Sequence, residues 1–124
     1  MGGGASVPEN SLKKNGDDCF RIGQFSESIY WYTRALLEEP ASDVKVQAAL
    51  YSNRSAAYDA SGQFETSLAD ALNAIHLRPD WPKGYYRAAK ACERLNRNAE
   101  GIYHLSTALI LEPGDGTLLE VRST

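Results

Sequence analysis

Pro40, Pro79 and Pro113 each end an apolar stretch, and counting back from them aligns the chain with itself. The first two are 39 residues apart and the last two 34. Five positions before each proline stand Ala35, Ala74 and Ala108, and four before stand Leu36, Ile75 and Leu109. Eleven before come Ile29, Leu68 and Ile102, and twelve before come Ser28, Ser67 and Gly101. Fifteen before, Phe25 and Phe64 recur and Asn98 breaks the column. Seventeen before lie Gly23, Gly62 and Asn96, and twenty-four before lie Gly16, Ser55 and Ala89. Self-similarity on this scale marks stacked supersecondary units, none of which buries its apolar face alone.

Each column has a physical task. Small residues let two helices of a hairpin approach closely, and the larger apolar ones fill the grooves beside them. Gly or Asn accepts the left-handed backbone that closes a first helix, and proline stops the second from running on. The pattern predicts helices near 10–22, 26–38, 43–60, 64–77, 82–95 and 98–111, with a short further helix starting near Thr117. Asp43 and Asp80 are placed to cap the third and fifth helices, with Pro82 in the first turn of the fifth. The longer first interval reflects five extra residues of helical composition at the start of the third helix. The implied organisation is a leader over 1–8, repeats over about 9–42, 43–81 and 82–113, and a tail or nascent capping helix over 114–124.

Polar residues on the first helices of these hairpins serve no evident need of the fold. Lys13 and Asp17, Asn53, and Lys83 and Arg87 lie 27, 23, 26, 30 and 26 residues before their repeat's proline. Those offsets put all five on one helical face, so stacking gathers them on one wall. Two lysines, an arginine and an amide there suit a carboxylate, with Arg87 able to make a paired contact. Lys90 extends the Lys83–Arg87 stripe by three residues.

The period and its columns resemble the tetratricopeptide repeat (TPR) over about residues 9–113. The resemblance implies an all-α fold of three helix-turn-helix repeats stacked as a right-handed superhelix, with a short or truncated C-terminal capping helix. First helices would line a concave groove supported from outside by the second helices. Lys13, Asn53, Lys83 and Arg87 match the carboxylate clamp of co-chaperone TPR domains. The runs Tyr51–Tyr58 and Arg78–Arg87 are also similar to chaperone-cofactor sequences. The resemblance implies an adaptor that holds the acidic C-terminal peptide of 70- or 90-kilodalton heat-shock chaperones in the cytoplasm.

Asp17 departs from that pattern, which has Asn there. A lost charge-assisted hydrogen bond costs about 1.5–3 kcal/mol. Repulsion between carboxylates roughly 4 Å apart adds about 1 to 4 kcal/mol, depending on the dielectric. One expectation is that Lys13 turns away from Asp17 and the remaining donors suffice. The alternative is a scaffold retuned to another peptide, with a Lys or Arg opposite Asp17. Lys13 or Lys14 could also neutralise it.

Other classes of function find little support. The net charge of −3 is unlike the basic footprint of a general nucleic-acid binder. No apolar run approaches the roughly 18 residues of a membrane span. Cys19 and Cys92 form no CxxC pair and read as reduced core thiols. His76 and His104 fall in different repeats and columns, so no metal site or cofactor is expected. No GxSxG elbow or phosphate-binding glycine loop appears, and no catalytic residue is assigned. Met1 to Ser6 fits a loose myristoylation pattern at Gly2 and equally a flexible leader or cloning remnant. A monomer is expected.

Overall fold

A computed structural model describes residues 11–38 and 43–112. They form six helices: α1 (Ser11–Arg21), α2 (Phe25–Glu38), α3 (Val44–Ala60), α4 (Phe64–Leu77), α5 (Pro82–Arg94) and α6 (Asn98–Leu111). Their bounds fall within two residues of those the repeat columns predict. The leader, the prolines at the ends of the first and third repeats, and the segment around Thr117 lie outside the described residues.

Tight crossings occur where small residues from columns 24 and 12 meet. Ser28 donates its hydroxyl to the Gly16 carbonyl at 2.9 Å. In the next hairpin the Ser55 and Ser67 hydroxyls each donate to the other's carbonyl at 2.8 Å. In the third, Gly101 lies so close that an added Cβ would meet the Cys92 Cβ at 3.3 Å. Gly23, Gly62 and Asn96 have φ of 84°, 80° and 61°, the left-handed turn that ends α1, α3 and α5.

Asp43 caps α3 by accepting from the Lys45 backbone N–H at 2.9 Å. Asp80 does not cap α5, contrary to the sequence expectation. Pro82 opens that helix and holds the preceding residue extended, so Trp81 takes the cap position at φ −101° and ψ 114° without a side-chain bond. Trp81 lies instead under the Arg78 guanidinium, 5.0 Å from its ring centre.

Two cores join the repeats. Tyr32, Ala35 and Leu50 form one, with Leu12, Leu36 and Val46 against it. Leu68, Ala71, Ala88, Ala91 and Cys92 form the other, with Ile75 and Leu95. Cys92 is buried, whereas Cys19 is only partly so and is not the core thiol the sequence suggested. The first helices touch in series, α1 on α3 and α3 on α5, while second helices of successive repeats make at most marginal contact. The stack therefore curves toward its first helices, and their polar face becomes the inner wall.

Candidate functional site

A cavity of about 430 Å³ opens on that wall, lined by Asp17, Phe20, Tyr32, Asn53, Lys83 and Arg87 among others. Four of the five principal sequence candidates thus converge from α1, α3 and α5. Lys13 stands at its edge, bonded to Asp17, and lines an adjoining hollow of about 310 Å³ with Lys14 and Lys45. Lys90 is not brought to either. It lines a separate groove of about 550 Å³ between α5 and α6, with Tyr86, Glu93 and Ile102. Ile102 is 65% exposed there, while Leu68, its counterpart one repeat earlier, is 6% exposed under α5.

Asp17 is the best-connected group on the wall. One carboxylate oxygen accepts from the Lys13 ammonium at 3.0 Å. The other accepts from the Tyr32 hydroxyl at 2.5 Å and from the Asn53 amide at 3.3 Å. Lys13 therefore does not turn away, and this corrects the expectation that its charge stays available. Lys14 plays no part, because it pairs with Asp18 at 3.0 Å. Both oxygens of Asp17 are supplied from within, so no ligand cation is needed to neutralise it.

Tyr32 is the site residue that sequence reasoning missed. It is buried on α2, a second helix, and was assigned no role on the inner wall. Its ring crosses α1 above Gly16, where an added Cβ would stand 2.5 Å from the ring. Desolvation and the Asp17 carboxylate both hold the phenol proton firmly in place, so Tyr32 acts as a donor. A signal existed: eight positions before the prolines the column reads Tyr32, Ala71, Leu105, and the bulky member faces the glycine of column 24.

Across the cavity the situation is different. Lys83 and Arg87 have no hydrogen-bond or ion-pair partner among the described residues. Lys83 reaches solvent, yet desolvation by the surrounding wall, then Arg87 and Lys13, lower its proton affinity; Asp17 opposes them. Arg87 is half-buried, and desolvation likewise lowers its proton affinity, with Asp59 opposing. Cations held on a concave surface without a directly bonded counter-ion are poised to receive an anion.

Arg54, adjacent to Asn53, faces away from the cavity. It grips Asp70 with two nitrogens at 2.7 and 2.8 Å and reaches Thr33 with a third at 3.0 Å, tying α2, α3 and α4 together. Tyr51 and Tyr58 flank its guanidinium. Among the described residues no group of His, Cys, Asp and Glu could hold a metal, and no helix is long and apolar enough to cross a membrane.

Comparison with solved structures is decisive for the family. The second TPR domain of human RPAP3, determined with the HSP70 peptide SGPTIEEVD, matches with a TM-score of 0.78 at 29% identity over 90% of this chain and 89% of that one. The first TPR of Spaghetti (RPAP3), bound to the HSP90 peptide SRMEEVD, matches with a TM-score of 0.80 at 26% identity over 94% of both chains. The chain is a tetratricopeptide-repeat domain. No family model matches it. In sequence the TPR domain is 33% identical over 114 residues to the Hsp70-Hsp90 organising protein of Plasmodium falciparum, spanning 90% of itself and 42% of that protein. It is 37% identical over 97 residues to tetratricopeptide repeat protein 28 of Mus musculus, 78% of itself and 4% of that protein. The TPR domain thus spans less than half the length of these relatives.

Proposed function

We propose that this TPR domain is a protein-interaction module whose inner wall binds the acidic C-terminal peptide of a heat-shock chaperone, in the manner of a co-chaperone adaptor. The observation that carries the reading is the meeting of Lys83 and Arg87 on one concave surface, neither with a hydrogen-bond or ion-pair partner among the described residues. The structural neighbours determined with SGPTIEEVD and SRMEEVD supply the ligand class. The wall offers anion recognition and hydrogen bonding and no group activated for bond-breaking, so the role is that of an adaptor and not an enzyme. A cytoplasmic location follows from the proposed partner. A second reading, in which Asp17 retunes the wall for a different peptide, draws on the capture of Lys13 by that carboxylate.

Calorimetric titration tests the proposal. SRMEEVD is compared with a version in which both glutamates, the aspartate and the chain end are all converted to amides. The acidic peptide is expected to bind, and the neutral one to lose about a hundredfold or more, as expected for two charge-assisted contacts. Indifference to that conversion, or to Arg87→Ala, would refute the role assigned to the wall.

A further inference from the structure

We infer that Asp17 is a built-in substitute for one ligand carboxylate, so that this groove reads a single carboxylate of the terminal residue where the final aspartate of its structural neighbours' tails offers two. The inference rests on the proposed anion-binding role of Lys83 and Arg87. Peptides SGPTIEEVD and SRMEEVD end in aspartate, which carries one carboxylate on its side chain and one at the chain end. A wall that receives both needs two sets of donors.

Here one set is already taken. Lys13, Tyr32 and Asn53 all donate to Asp17, from α1, α2 and α3. A ligand carboxylate entering on that side must displace Asp17 from three donors. It would then leave a displaced anion beside an incoming one, in a wall desolvated enough to perturb Lys83. On the other side Lys83 and Arg87 have no such occupant, and Phe20 and Ala56 supply apolar surface beside them. The geometry therefore favours a peptide presenting one acidic group next to an apolar residue. That group is either a chain end following a neutral residue or an acidic side chain whose chain end is blocked or continues.

Four peptides test this: SRMEEVD and SRMEEVN, each as free acid and as C-terminal amide, titrated into the TPR domain and its Asp17→Asn variant. For the unaltered protein, at least one of the two peptides with a single terminal-residue carboxylate should bind within about threefold of SRMEEVD free acid. The peptide with neither should lose about thirtyfold or more. In Asp17→Asn the second carboxylate should become worth about tenfold, since a charge-accepting site reopens. If removing the side-chain carboxylate and, separately, removing the chain-end carboxylate each weaken binding to the unaltered protein tenfold or more, the wall engages both and the inference is overturned. That result leaves the anion-binding role standing. Equal binding of all four peptides, each of which keeps both glutamates, also overturns the inference, and the fully amidated peptide then decides the anion-binding role.

Discussion

The two sides of the inner wall carry similar cations in opposite circumstances. On the α1–α3 side Lys13 is bonded to Asp17, and just behind it Arg54 is bonded to Asp70, with side chains 17% and 3% exposed. On the α5 side Lys83 and Arg87 make no hydrogen bond or ion pair among the described residues, and Asp17 and Asp59 act on them only through longer-range attraction. A charge paired inside the stack holds helices together. A charge left desolvated and unpaired weakens the fold slightly and becomes useful only when an anion arrives. Stability and recognition are thus separated along one wall, and substitutions on the two sides should fail in different assays.

The largest effect should come from Arg54→Ala. Removing it strands a buried Asp70 and should lower unfolding free energy by about 3–5 kcal/mol in denaturant titrations. Peptide affinity of the remaining folded protein should be unchanged. A loss of binding without a loss of stability would break the comparison. Arg87→Ala should do the reverse. Affinity for SRMEEVD should fall about ten- to a hundredfold, the weight of a charge-assisted contact, while the melting temperature holds or rises.

Gly16→Ala sharpens the paired side. Its Cβ would stand 2.5 Å from the Tyr32 ring, so that ring must shift and loosen its bond to Asp17. Overpacking of this kind costs about 1–3 kcal/mol, readable in the same denaturant experiment. The smallest effect is on pH dependence. Desolvation, Arg87 and Lys13 set the Lys83 ammonium below its usual 10.5 or so. The unfolded chain keeps that proton over the interval where the folded one gives it up. This group's contribution to stability therefore rises with pH there. Binding needs the charged form, so affinity should fall as pH rises toward 10.5 and should do so less in Lys83→Arg.

The fold was legible because it is written three times. Columns such as Ala35, Ala74 and Ala108 repeat one packing task, and all three are fully buried. The left-handed turns at Gly23, Gly62 and Asn96 could be read because few residues accept that backbone. The expected Asp80 cap does not form because Pro82, at the first helical position, holds Trp81 extended in the cap position. Within the site, helical spacing gathered Lys13, Asp17, Asn53, Lys83 and Arg87 on one wall, since a shared face follows from periodicity. Who bonds to whom did not follow. Asp17 meets Tyr32 and Asn53 across 15 and 36 residues, and Arg54 meets Asp70 across 16. Such pairings depend on side-chain reach between helices, which no single-helix pattern encodes.

The division of the wall is tested most directly by following side-chain NMR signals while SRMEEVD is added. The Arg87 guanidinium and Lys83 ammonium resonances should shift and saturate with the peptide. The Asn53 amide and Lys13 ammonium, held by Asp17, should move far less. Equal shifts on both sides, or movement of Asn53 and Lys13 with Arg87 left unchanged, would contradict the account.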